Sequence, residues 1–245
     1  MSRSACRGYR CSSTNLIRAH IIPRAFARDM KAGSPHNLAI TKNNVQPTQH
    51  GVFDPALLCE RCDGVLGKLD DYAVEVCRRF PNEHKAIDGG DMFEMPNVDG
   101  DKFARFVLSL LWRASITTRR EFKRVSLGPY EPLAGDVIFD ARPLSSLQEY
   151  ELLVGRYRKF GEFDPARNYT SPARAKFLGY LNGWAFALGG FRIMAKLDQR
   201  PFPTLVAPCI VNKSTKLMGT FGDFWTTIEG KTFAERVLEH GPRPR

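Results

Sequence analysis

The sequence predicts an α+β fold in which a small, cysteine-built metal module precedes a larger mixed domain. Three observations predict it. Four of the six cysteines form two close pairs, Cys6-x4-Cys11 and Cys59-x2-Cys62. Residues 66–80 and 103–111 repeat apolar side chains at helical spacing. Between Ala175 and Leu197, apolar and aromatic runs alternate with Asn182-Gly183 and Gly189-Gly190, the signature of a three-stranded antiparallel meander.

Composition bounds the function classes. The 245 residues carry 36 Lys plus Arg against 26 Asp plus Glu, a formal net charge of +10. With 43% hydrophobic and 25% charged residues the chain has a globular balance, which excludes wholesale disorder. No apolar run approaches the roughly 18 to 20 residues of a membrane span, and MSRSACRGYR has no apolar leader, so the expectation is a cytoplasmic protein without a membrane partner. The charge is unevenly placed: +7 over residues 1–53, −7 over 54–101 and +10 over 102–245. A basic block beside an acidic one fits a polyanion partner, and it also fits a solvated face.

Taken in order, residues 16–22 have β character around His20, and Pro23 opens a helix over Arg24 to Met30. Residues 31–53 mix turn formers and read as a long loop. The second cysteine pair leads into a helix through Leu66, Leu69, Tyr72, Ala73, Val76 and Phe80, which Pro81 should end. Residues 83–101, rich in Pro, Gly and acids, read as a linker between a domain over 1–82 and an α+β domain over 102–240. That second domain starts with the amphipathic helix of Phe103, Phe106, Val107, Leu110 and Leu111. YELLVGRYRKF fits strand or helix. After the meander, a strand pair is expected in TLVAPCIVNKSTKLMGTF, a last helix in KTFAERVLEH and a disordered tail over 241–245.

The cysteines carry the sharpest chemistry. A reducing compartment disfavours disulfides, whereas four thiolates from two short-range pairs suit the tetrahedral preference of Zn²⁺. Buried thiols with no metal are the plainer alternative. Cys77 and Cys209, set among apolar residues, read as core thiols.

The order of features adds a resemblance. Cys6 and Cys11, then His20-Ile21-Ile22-Pro23, then Leu58-Cys59-Glu60-Arg61-Cys62-Asp63 and Lys68 resemble the zinc-containing HNH endonucleases, whose ββα-metal core is built on a treble clef. The resemblance covers the first third of the chain. It implies a structural Zn²⁺ on Cys6, Cys11, Cys59 and Cys62, and a hydrolase cutting phosphodiester bonds of nucleic acid, DNA foremost. His20 matches the general base. The two further positions are Asp54 and Asp63, where the family has Asn and His or Asn, with Asp63 as a ligand for catalytic Mg²⁺ or Mn²⁺. Arg18, Arg24, Arg28 and Lys68 stand where flanking phosphates would lie. The chain departs from the family in having Ala19 where an acidic metal ligand precedes the histidine. His36 and His50 are the other histidines near enough in sequence to join a site, whereas His84 and His240 read as surface residues.

Each assignment has a structural counterpart. His20 fits packing against the metal frame, Asp54 a capping role before Pro55, and Asp63 stabilisation by a helix N-terminus. The alternative function is a treble-clef module that binds nucleic acid or protein without chemistry. A third is recognition of a protein partner through the aromatic C-terminal domain. Arg119, Arg120, Lys123 and Arg124 form a basic cluster in that domain, readable as a nucleic-acid contact or a solvated face.

Overall fold

The computed structural model describes residues 5–31, 37–40, 45–48, 51–159, 164, 168–227, 230–231 and 235. It is a mixed α+β structure built on a seven-stranded sheet, with two further two-stranded pairings near the N-terminus. The expected terminal helix lies largely outside the described residues, as do the tail, His36, His50 and His240.

The N-terminal part has short elements. Strand β1 (Ala19–His20) is followed by α1 (Arg24–Lys31), β2 (Asn37–Ile40), β3 (Val45–Thr48) and β4 (Phe53–Asp54). The stretch read as a loop therefore holds a β2–β3 antiparallel pair and β4, which pairs with β1. Prolines and polar residues hid these strands, whose few apolar positions are too short to establish an alternation.

Helix α2 (Glu60–Glu83) starts at the second cysteine pair and buries Cys62, Leu66, Leu69, Ala73, Val76 and Phe80 along one stripe. It does not stop at Phe80. Pro81 sits in the last turn, where only one ladder donor is lost. Arg79 grips Glu83 at 2.7 Å and the His84 N–H reaches the Phe80 carbonyl at 3.2 Å, closing the end.

The segment read as a linker is part of the sheet. It forms β5 (Lys85–Ile87) and β6 (Met92–Met95), and helix α3 (Gly100–Ile116) begins within it, capped by the Asp99 carboxylate on the Lys102 N–H at 3.0 Å. Phe93 and Met95, alternating on β6, are wholly buried, so pattern was present beneath a turn-rich composition. Gly100 is required there, because a Cβ would strike the Val211 and Ser214 carbonyls.

The rest of the chain supplies α4 (Glu131–Ile138), β7 (Tyr150–Tyr157), β8 (Ala173–Phe177), β9 (Leu181–Leu188), β10 (Phe191–Leu197) and β11 (Leu217–Gly222). Sheet order is β5-β6-β11-β7-β10-β9-β8, antiparallel except for β11 against β7. The ambiguous YELLVGRYRKF is strand over Tyr150–Tyr157, and the meander is β8-β9-β10. One of its turns differs from expectation: the chain reverses at Leu178–Tyr180, and Asn182-Gly183 lies inside β9. Gly183 is there for close packing, since a Cβ would lie 2.6 Å from the Phe177 ring and 2.9 Å from Lys196 Cα. Asn182 instead donates its backbone and side-chain N–H groups to Asp198 at 3.0 and 2.9 Å. Of the expected final strand pair only β11 forms. Thr204–Cys209 is a 3-10 helix, consistent with its flanking and internal prolines, Pro203 and Pro208.

One hydrophobic cluster runs from Cys6, Ile21 and Leu58 through α2 and α3 to Val154, Phe191 and Leu217. Helix α3 is buried on nearly every side, against α2, α4 and β10. The cysteine module and the sheet thus share one core, joined through α3. Among the described residues no helix is long and apolar enough to cross a membrane.

Candidate metal centre and the corner beside it

The two cysteine pairs converge. Their four sulfurs lie within 4.8 Å of one another, Cys6, Cys59 and Cys62 buried and Cys11 half-buried. A tetrahedral ion with Zn–S bonds of about 2.3 Å spaces its sulfurs by about 3.8 Å, and Cys11 and Cys59 stand 3.7 Å apart. Backbone geometry holds the arrangement. The Gly8 N–H donates to Cys6 Sγ at 3.3 Å and the Cys59 N–H does so at 3.2 Å. Gly8 lets the first loop close over the second, since any Cβ would run into Cys62 Sγ. Arg10 takes the left-handed conformation with φ 46°, which absorbs the wide x4 spacing and lets Cys11 turn back, its N–H on the Gly8 carbonyl at 3.1 Å.

The electrostatics are compatible with a bound cation. The Ser13 backbone N–H holds the Cys11 thiol down to about 6, whereas burial and the neighbouring sulfurs push Cys62 well up, and burial raises Cys6. Four thiols this close cannot all ionise together without a positive ion among them, and a divalent metal supplies it. All six cysteines are free thiols, so no disulfide competes for these sulfurs. The donor set fits a soft-ligand metal such as zinc.

The second pair opens α2, and the first lies against the segment that leads into it, the Arg7 N–H on the Leu57 carbonyl at 3.0 Å, so the cysteine frame sets the β1–β4 hairpin beside the start of the helix. Leu16 bridges to Cys59, and the Ile17 N–H donates to the Leu58 carbonyl at 2.9 Å. In the hairpin Ala19 pairs with Asp54 and His20 with Phe53. Cross-strand partners share a face. His20 and Phe53 therefore stand on the outer face, ring centroids 6.2 Å apart, with the Arg18 guanidinium 3.9 Å over Phe53. Ala19 and Asp54 face inward and are buried.

Asp54 thus lies away from the position expected for it. One carboxylate oxygen accepts from the Ala56 N–H at 2.8 Å. The other accepts from Thr117 Oγ1 at 2.5 Å, the Thr118 N–H at 3.2 Å and Thr118 Oγ1 at 3.4 Å. Burial pushes its carboxyl up, but these donors prevail and hold it below the ordinary 3.8. The capping role is the one the structure supports. Because the folded-state value is depressed, Asp54 contributes stability above the unfolded carboxylate range and loses it as pH falls through the folded value. Asp54→Asn is expected to lower unfolding free energy by about 1–3 kcal/mol at pH 7 and to narrow the difference from wild type as pH falls below the unfolded carboxylate range. Urea unfolding at pH 7 and pH 3 checks this, and a constant difference between the two pH values would refute it.

Asp63 occupies the first turn of α2, half-exposed, its N–H on the Cys59 carbonyl at 3.0 Å. Burial raises its carboxyl against the pull of Arg113. Arg113 is the residue that sequence reasoning missed. Wholly buried in α3, it grips both oxygens of Asp70 at 2.9 and 2.6 Å and donates to the His20 carbonyl at 2.8 Å. It thereby ties β1, α2 and α3 together at one corner. The available signal was a lone guanidinium inside the apolar run FVLSLLWRASI, together with Asp63 and Asp70 seven residues apart on one helix.

No family model, curated protein or solved structure matches this chain. The site is therefore read from its own geometry. Of the expected site residues, the four cysteines come together. His20 reaches Arg113 through its backbone carbonyl and Asp63 through charge alone, and Asp54 is committed elsewhere. Arg18, Arg24, Arg28 and Lys68 are all exposed. Among the described residues the four cysteines are the one group of three or more His, Cys, Asp or Glu that converges within metal-ligating distance. Any ion at Asp63 would thus rely mainly on water for its remaining ligands.

Proposed function

We propose that the first 82 residues form a zinc-stabilised treble clef of HNH type and that the protein is a metal-dependent endonuclease of nucleic acid, DNA foremost. The observation that carries this reading is the four-cysteine frame with His20 on β1 and Asp63 in the first turn of α2, both near Arg113, which donates to the His20 backbone carbonyl and whose charge acts on Asp63. His20 stands on the outer face of the hairpin, and an imidazole there can take the proton of an attacking water. Asp63 would hold a hydrated Mg²⁺ or Mn²⁺, whose charge offsets the negative charge that develops at a phosphodiester. Arg18 just before β1, Arg24 and Arg28 on α1 and Lys68 on α2 would contact backbone phosphates without reading bases. The metal of the four-cysteine frame acts through shape alone, fixing the hairpin and the helix start on which base and ligand stand.

Supercoiled plasmid with added Mg²⁺ or Mn²⁺ tests the proposal. Wild type is expected to nick it, with His20→Ala and Asp63→Ala each at least about 100-fold slower. Equal nicking by all three proteins would sink the reading. A second reading, binding without cleavage, is favoured by buried Ala19 and committed Asp54, which leave Asp63 as the one carboxylate for the ion. Salt-sensitive DNA binding with no nicking by wild type would establish it instead.

A further inference from the structure

The turn that follows α3 holds three cations with no carboxylate among the described residues to answer them. Residues 119–124 read Arg-Arg-Glu-Phe-Lys-Arg. Phe122 and, just beyond, Val125 and Leu127 are buried, and they anchor the segment to the core. The chain between these anchors is fixed by its own backbone: the Phe122 N–H donates to Arg119 at 3.1 Å, Lys123 to Arg120 at 3.3 Å and Val125 to Phe122 at 2.7 Å. With the apolar residues turned in, Arg119, Arg120, Lys123 and Arg124 are all forced into solvent. Arg119 is paired with Glu121 at 2.7 Å. Arg120, Lys123 and Arg124 have no carboxylate partner among the described residues. Confining three like charges to one tight turn is unfavourable until an anion arrives.

The position of this turn matters as much as its charge. Thr117 and Thr118, at its base, hold Asp54 of β4, and Arg7 of the first cysteine loop donates to the Ile116 carbonyl at 2.7 Å. Two independent ties thus dock the turn against the cysteine module. The module they dock it to carries the exposed basic side chains Arg7, Arg10 and Arg18.

We infer that the 119–124 turn is a phosphate-contacting surface for duplex nucleic acid, supplied by Arg120, Lys123 and Arg124 and extending the basic face of the cysteine module. The inference rests on the nucleic-acid reading above but not on cleavage. A single-stranded ligand fits less well, because strand binding draws on exposed aromatic rings and the one aromatic of this turn is buried. A membrane surface fits less well, because among the described residues the exposed large apolar side chains are Leu178, Tyr180 and Leu205, none of them in this turn.

The test is equilibrium binding of the full-length, metal-replete protein to a mixed-sequence DNA duplex across a salt series, with no Mg²⁺ or Mn²⁺ added. The variant combines Arg120→Gln, Lys123→Gln and Arg124→Gln. Its slope of log affinity against log salt is expected to be shallower by about three, one for each lost phosphate contact, with each single substitution removing about one. A control combining Lys85→Gln, Arg174→Gln and Lys176→Gln, all exposed on the edge strands β5 and β8, removes the same charge and should leave the slope near wild type. An unchanged slope in the turn variants, or an equal fall in the control, overturns the inference. So does tighter binding to phosphatidylserine vesicles or to single-stranded DNA than to the duplex. Failure of the nuclease reading would appear separately, as duplex binding intact without plasmid nicking.

Discussion

Metal analysis of the purified protein is expected to find about one zinc per chain, and Cys62→Ala is expected to lose the metal and more than about 4 kcal/mol of unfolding free energy. The size of the effect follows from how little else holds the module. Its β1 and β4 strands are two residues each and α1 has eight, lengths that are marginal without a cross-link. The sulfurs also belong to the core: Cys6, Cys59 and Cys62 are buried with Ile21, Leu57 and Leu58. Removing one ligand would therefore release the ion and leave the remaining thiols crowded beside a new void. Cys209→Ala, at a half-exposed thiol outside the cluster, should cost about 1 kcal/mol or less and keep the metal. Metal content paired with thermal unfolding separates these outcomes. A Cys62→Ala protein that melts like wild type would remove the metal from the account of the fold.

Arg113→Ala is expected to cost about 3–5 kcal/mol, because the Asp70 carboxylate would be left in the interior with nothing to balance it. In the native protein burial pushes that carboxyl up and Arg113 opposes it; in the variant only the push remains. The sign follows from linkage. A carboxyl raised above its unfolded value favours folding while protonated, and that advantage is lost as pH rises through the raised value. The Arg113→Ala deficit should therefore be smaller at pH 5 than at pH 8. Pairing Arg113→Met with Asp70→Leu should recover most of the loss, since two apolar side chains need no partner. Denaturant unfolding at both pH values provides the readout. If the double variant were no more stable than Arg113→Ala, the lost attachment to the His20 carbonyl would outweigh the unbalanced charge.

The parts of the fold legible in the sequence were those set by near neighbours. The stripe from Leu66 to Phe80 and that from Phe103 to Leu111 announced α2 and α3, because helical periodicity is a local property. Gly189-Gly190 marked a true turn, both residues having positive φ. Asn182-Gly183 carried the same turn signature and proved to be strand interior, because what selects glycine there is the approach of Phe177 and Lys196 across two neighbouring strands. Residues 85–95 had the composition of a linker, yet pairing of β6 with β11, far along the chain, makes them strands. No local signal records a partner at that separation.

The candidate site divides in the same way. Sequence by itself singled out the four cysteines that converge, since each close pair can bring two sulfurs together whatever the rest of the chain does. Only the tertiary structure decided between the carboxylates. Asp54 turns inward because strand register pairs it with buried Ala19 and because Thr117 and Thr118 arrive to take its charge. Asp63 stays half-exposed because Arg113 is already occupied by Asp70 and the His20 carbonyl. Whether a carboxylate caps a loop or is left partly open to solvent depends on which distant donors reach it, and that is settled by packing.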